Sequence, residues 1–312
     1  MKQVQIAMLF LLHVLMLTSC STYRIANHHV TRTFERSGMQ HDVVTINDNE
    51  VDYWDTQADK PVLLLIHGFG SSASFQWFKQ IKALEKDYRI IVPNLLYFGD
   101  SKPLSGTKYD LQQQVDMLHD LMAFLKVDRL HVCGVSYGGL VAAEWARQFP
   151  HSMLSLTLFD APLKFYDITD VEAICTKYGT QTVQDFFVPE NGKGMKKLLS
   201  AGFRKPPAVP AVFLESFLEA QYGPNAEHLK KLLVQLQSDE EHYARMNYGF
   251  PCPVLLIWGE GDDIVGVNRG NQLHRYLIGS EFYVIPKTKH LPNLERPKQF
   301  NAIFLEFLNG VN

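Results

Sequence analysis

Leu130-His131-Val132-Cys133-Gly134-Val135-Ser136-Tyr137-Gly138-Gly139-Leu140 is the stretch on which the fold turns. Its first six residues read as a buried strand. Leu140 to Phe149 then places apolar residues at spacings of three and four, the period of a helix packed on one face. Between the two lies Gly134-Val135-Ser136-Tyr137-Gly138, a turn too tight for side chains at its flanking positions. Strand, sharp turn and helix put the hydroxyl of Ser136 at the carboxyl edge of a sheet, where a nucleophile is needed.

Outward from this unit, short apolar runs alternate with helical patterns. Val62 to Ile66 is apolar at every position. Arg89 to Val92, Leu154 to Phe159, Val254 to Trp258 and Phe282 to Ile285 resemble it. Phe75 to Leu84, Leu111 to Leu125 and Phe300 to Leu308 carry the helical spacing, with Asp110 placed to cap the second of these. The alternation predicts an α/β fold, a mostly parallel central sheet with helices on both faces. Val43 to Ile46 and Val51 to Trp54 predict an antiparallel hairpin that opens the sheet.

From Pro162 to Phe250 the strands stop. Helical segments follow one another at Val171 to Tyr178, Val183 to Phe187, Met195 to Phe203, Val212 to Tyr222 and Ala226 to Leu236. So long an insert is more than a loop and predicts a helical cap over the sheet edge. The expected organisation is a core of residues 41–161 and 251–312 with a cap of 162–250.

A serine needs a base, and the base needs an orienting acid. Val254 to Trp258 runs into Gly259-Glu260-Gly261-Asp262-Asp263, and Phe282 to Ile285 into Pro286-Lys287-Thr288-Lys289-His290. Both leave the sheet at the edge that carries Ser136. His290 is therefore the expected base and Asp262 the expected acid, with Asp160 and Asp263 as alternative acids. His67-Gly68-Phe69-Gly70 follows the Val62 to Ile66 strand, where this architecture supplies one oxyanion donor. The expected pair is the backbone N–H of Phe69 and of Tyr137, with His67 bracing the loop.

With His67-Gly68-Phe69-Gly70, the Ser136 turn, Asp262 at a strand end and a final His290 in that order, the chain resembles the α/β-hydrolase superfamily over about residues 43–309. Pro93 to Ser101 is similar to the loop after the fourth strand, and Leu294 to Pro297 to the segment after the histidine. The narrower resemblance is to capped bacterial lipases and esterases related to monoacylglycerol lipases. Asn94, Tyr97, Gly266 and Lys289 depart from that pattern and bear on pocket shape rather than on the triad. A serine nucleophile also excludes the reactions of relatives that attack with aspartate.

The amino terminus predicts an address. Lys2 precedes an apolar run from Ile6 to Leu17 broken only by His13. As a helix these twelve residues span about 18 Å, short of a bilayer core of roughly 30 Å. Residues 1–19 thus read as a signal peptide, and Leu17-Thr18-Ser19-Cys20 resembles the bacterial lipoprotein box. That resemblance implies acyl chains on Cys20 and a lipid-anchored place in the bacterial cell envelope, with the outer membrane as one of the membranes open to it. A plain secretory signal is the alternative. Residues 20–40 are polar and read as a lipidated tether; His28 and His29 within it lack a third ligand at useful spacing.

The 312 residues carry a net charge of −3, too little positive field to hold nucleic acid. Cys133, Cys175 and Cys252 are widely spaced and read as free thiols. No cofactor and no metal is expected. The expected activity is a serine carboxylic ester hydrolase working through an acyl-enzyme on apolar or lipid esters. Carbon–carbon hydrolysis, amide cleavage and a non-catalytic ligand-binding lipoprotein are the alternatives. Phe186, Phe187, Phe203, Phe213, Phe217 and Leu218 in the cap suit an acyl chain or core packing, and Lys193, Lys196, Lys197, Arg204 and Lys205 make the cap locally basic, as a solvated surface or a face for anionic lipid head groups.

Overall fold

The computed structural model describes residues 23–70 and 72–311. The strands are β1 (Gln40–Ile46), β2 (Asn49–Asp55), β3 (Val62–Ile66), β4 (Arg89–Pro93), β5 (Lys102–Pro103), β6 (Leu130–Val135), β7 (Met153–Phe159), β8 (Val254–Gly259) and β9 (Glu281–Ile285). They form one sheet in the order β1-β2-β4-β3-β6-β7-β8-β9, with β5 paired to β2. The β1–β2 hairpin and the pairings of β2 with β4 and β5 are antiparallel. From β4 through β9 every pairing is parallel.

The apolar runs form central strands because the sheet is covered on both faces. Leu64 and Ile66 of β3 enter one core cluster, Leu63 and Leu65 the other. On β8, Leu256 and Trp258 face the first cluster, Leu255 and Ile257 the second. Strand periodicity therefore splits one run between two cores. Fully burying each such side chain contributes about 1.5–3 kcal/mol. The helix Leu111–Phe124 buries Leu111, Val115, Leu118, Leu121 and Met122, and Asp110 accepts from Gln113 N at 2.8 Å at its start. The helix Pro297–Gly310 closes the second face with Phe300, Phe304 and Phe307.

Between β7 and β8 lie the helices Ile168–Tyr178, Val183–Phe187, Gly192–Gly202, Ala211–Gln221, Ala226–Ser238 and Glu240–Arg245. No strand interrupts them among the described residues. Arg269, on the helix after β8, fastens this insert by pairing with Asp167 and Asp170 at 3.1 and 3.0 Å.

Two expectations are corrected. Phe75 to Leu84 is not one helix but two, Ala73–Trp77 and Ile81–Leu84, separated by a turn. The polar stretch read as a tether is structured from residue 23 onward: 23–36 is a helix, with Val30 and Phe34 buried. Phe34 meets the edge of Trp54 at 5.1 Å, and Tyr23 stacks on Phe75 at 6.2 Å. Two apolar residues four apart suffice to dock a short helix, although they make no sustained apolar period. The expected signal peptide and Cys20 lie outside the described residues. Among the described residues no helix is long and apolar enough to cross a membrane.

Candidate active site

Ser136 joins β6 to the helix Tyr137–Gln148 with φ 51° and ψ −124°. A side chain in that region costs about 1–3 kcal/mol and persists only where its surroundings enforce it. Here the enforcement is close packing. A Cβ on Gly134 would lie 2.3 Å from the carbonyl oxygen of Gly138, and one on Gly138 would lie 2.2 Å from that of His67. Strand, helix and the loop after β3 thus press together around the serine.

The loop after β3 reaches Ser136 at Gly68, where a Cβ would stand 3.2 Å from Ser136 Cβ. His67 holds this loop from within. It is fully buried, and burial pulls its pKa down to about 4, so the ring is neutral. Nδ1 donates to Gly68 O at 2.7 Å while Nε2 accepts from Leu95 N at 2.9 Å. Both nitrogens are committed, which suits a brace and not a base. The N–H of Tyr137 opens its helix and has no carbonyl one turn earlier within it. That N–H and the N–H of Phe69 on the adjoining loop are the two expected oxyanion donors.

At the end of β8, Asp262 is buried and accepts from the backbone N–H groups of Ile264 and Val265 at 2.8 and 3.1 Å. Its second oxygen lies 2.8 Å from His290 Nδ1. A carboxylate can only accept, so Nδ1–H donates and Nε2 keeps its lone pair for a proton. The structure thus brings Asp262 and His290 together. Among the described residues Ser136 makes no hydrogen bond to His290, a joint that commonly tightens when substrate binds.

The other two acids have different occupations. Asp160 follows β7 with φ 48° and is fully buried, with Oδ1 accepting from Gly259 N at 2.9 Å. Its Oδ2 has no partner when treated as an acceptor. Burial, reinforced by the charge of Asp262, pushes Asp160 well above the carboxylate range. Both effects favour the neutral form of Asp160. Ligand atoms of Asp160, Asp262 and His290 all lie within 4.8 Å of one another. For Asp263, burial alone would raise the pKa, but hydrogen bonds from Lys177, Lys289 and Tyr178 outweigh it and hold the carboxyl below its ordinary value. Lys177 and Tyr178 belong to the cap and Lys289 precedes His290, so Asp263 clamps cap to core.

Two cavities meet at the site. A small one of about 120 Å³ is bordered by Ser136, Tyr137, Leu140, Leu233 and Leu236. The larger, about 900 Å³, has His290 in its wall beside Met195, Leu198, Leu214 and Phe217. Phe69, Phe187 and Ile264 border both. Of the cap residues expected to suit an acyl chain, Phe187, Phe203, Phe213 and Phe217 line the larger cavity, whereas Phe186 and Leu218 are buried without lining it.

Tyr222 was not legible in the sequence. Its hydroxyl, at the end of the cap helix Ala211–Gln221, donates to Gly70 O at 2.6 Å, and Gln221 Oε1 accepts from Ser72 N at 2.8 Å. The cap thereby grips the loop that carries Phe69. A tyrosine among many aromatic cap residues gives no signal of such a contact.

Comparison with known proteins finds lipases and other hydrolases. Lipase 1 of Psychrobacter immobilis is 27% identical over 235 residues, covering 75% of this chain and 72% of its own. A 2-hydroxy-6-oxononadienedioate/2-hydroxy-6-oxononatrienedioate hydrolase of Paraburkholderia phymatum is 26% identical over 272 residues, covering 83% and 90%. Among solved structures, a membrane phospholipase A described as a bacterial virulence factor superposes with a TM-score of 0.78 at 25% identity, covering 100% of this chain and 99% of its own. A family model for the alpha/beta hydrolase fold matches residues 61–297, from the foot of β3 past His290. Sheet order and that match agree, and the chain belongs to the α/β-hydrolase fold family.

Proposed function

We propose that this protein is a serine hydrolase of carboxylic esters with apolar acyl arms. Ser136 Oγ attacks the ester carbonyl as His290 Nε2 takes its proton, and the N–H groups of Phe69 and Tyr137 hold the oxyanion. Collapse of the intermediate breaks the ester C–O bond, with the leaving alkoxide taking the proton from His290. Water, deprotonated by the same nitrogen, then releases the acid and restores Ser136. Asp262 fixes the imidazole tautomer and stabilises the imidazolium.

The observation that carries this reading is the 2.8 Å contact of His290 Nδ1 with Asp262, set in the wall of a large apolar cavity. The lipase and phospholipase relatives support ester substrates. Hydrolysis of p-nitrophenyl esters of graded chain length tests it. Wild type should turn them over, and Ser136→Ala should lose roughly four to six orders of magnitude in kcat. Undiminished turnover in that variant would refute the role of Ser136.

The Paraburkholderia hydrolase favours a second reading, cleavage of a dienoic acid. A wild type inert on esters but active on such an acid would establish it instead. For location, we propose a lipid anchor at Cys20 in the bacterial cell envelope, supported by the lipoprotein-like Leu17-Thr18-Ser19-Cys20. Cys20→Ser should move the protein from the membrane to the soluble fraction.

A further inference from the structure

We propose that the larger cavity selects esters whose head group is negatively charged, specifically anionic phospholipids; this rests on the ester-hydrolase reading above. Five cationic side chains border the cavity: Lys79, Arg204, Lys205, Lys287 and Arg296. They come from four separate places, the end of the first helix after β3, the cap, the loop before His290 and the turn after it. A lysine-rich helix would be an ordinary solvated face. Convergence of four segments on one opening is a property of the fold.

One carboxylate, Glu295, stands among them. Its oxygens are taken by backbone groups, the N–H of Arg204 at 2.9 Å and of Lys289 at 2.7 Å. Among the described residues, the side chains of Arg204, Lys205, Lys287 and Arg296 enter no ion pair. With five cations around one carboxylate, the rim keeps a net positive field, against a chain whose net charge is −3. All five cations are exposed, whereas Met195, Leu214 and Phe217 deeper in the same cavity are buried. The space is apolar inside and cationic at its mouth. His290 fixes the ester linkage beside it, so an apolar arm inside leaves the polar arm at the rim. A phosphate is acceptor-only and matches guanidinium and ammonium donors. A neutral glycerol head group gains nothing there.

The test compares dioctanoyl phosphatidylglycerol with dioctanoyl phosphatidylcholine, each diluted in excess nonionic detergent so that the surface stays nearly neutral. Wild type should favour the anionic lipid by about tenfold in kcat/KM at low salt, the scale of one or two cations near a lipid charge. High salt should narrow the gap. Arg204→Gln with Lys205→Gln should bring it toward parity, and Arg296→Gln, on a separate segment, should narrow it even if the cap variant unfolds. A preference restored by Arg296→Lys would assign the effect to charge.

Equal rates on the two lipids, or a preference indifferent to salt and to these substitutions, would overturn the inference. So would an equal gain on the neutral lipid when a non-hydrolysable anionic ether lipid is added, since the charge would then attract a surface and not select a substrate. Turnover of p-nitrophenyl esters without head-group preference would sink this inference alone. A wild type inert on every ester would sink the ester reading with it.

Discussion

Asp160 and Asp262 are both buried with carboxylate oxygens within 4.8 Å of each other, and burial beside Asp262 pushes Asp160 well above the carboxylate range. Asp160 accepts from Gly259 N through Oδ1, and Asp262 lies 2.8 Å from His290 Nδ1. Above the ordinary carboxylate value of 3.8 an unfolded chain releases the Asp160 proton while the folded one keeps it. Stability from this group is thus fully present below 3.8 and is lost as pH rises toward the folded value. Asp160→Asn keeps the shape and tolerates φ 48° but removes the proton. Its unfolding free energy in urea, relative to wild type, should grow as pH rises from 4 to 8, with kcat within a few fold. A difference independent of pH would mean that Asp160 is ionised in the fold.

His67 acts in the opposite direction. Burial lowers it to about 4, so between its ordinary value of 6.5 and about 4 the unfolded chain takes up a proton that the folded chain refuses. Stability should fall as pH drops through that window, by about 3 kcal/mol if the whole shift is realised. His67→Asn should lack this slope, whatever its stability at pH 7. An unfolding free energy for wild type that stays flat over the window, once the variant's own slope is subtracted, would contradict a neutral buried ring.

The sheet, the tight turn at Ser136 and the run of helices between β7 and β8 were legible because each is written in local pattern. Val62 to Ile66 can only be a strand buried on both sides, and Ser136 between glycines two residues away can only be a close-packed turn. Asp262, Asp160 and Asp263 could not be separated in the same way. All three follow strands at one sheet edge, and their different surroundings arise from residues 28 to 99 positions away. Helix 23–36 was missed for a related reason. Only Val30 and Phe34 of that helix are fully buried, Tyr23 packs at its start, and the partners of all three lie on other segments.

Gly138 tests how tightly the site is built. Alanine there would place a methyl 2.2 Å from His67 O and 2.7 Å from Ile66 O, both backbone atoms that no rotamer can move. Gly138→Ala should lower stability by about 3 kcal/mol, the upper range for overpacking. It should also cost more activity than stability predicts, because relief of the clash must shift the loop bearing Phe69. Thermal unfolding paired with kcat below the melting point measures both. A variant with wild-type Tm would show that helix and loop are looser than these distances allow.

Tyr222 links cap and oxyanion loop through its hydroxyl alone, so Tyr222→Phe isolates that link. The ring stays buried at little packing cost, while Gly70 O loses a donor. A bond of this kind contributes about 0.5–1.5 kcal/mol net. If it holds Phe69 N–H in line with the oxyanion, the loss belongs to the transition state and appears in kcat, as a fall of about two- to tenfold with KM nearly constant. If it only fastens the cap, KM for long acyl chains should rise while kcat on short esters stays unchanged. Kinetics on butyrate and laurate p-nitrophenyl esters separate the two, and the geometry favours the first. The hydroxyl bonds to the residue next to Phe69, and the neighbouring Gln221 holds the same loop from the other side at Ser72, so the cap bears on the donor itself.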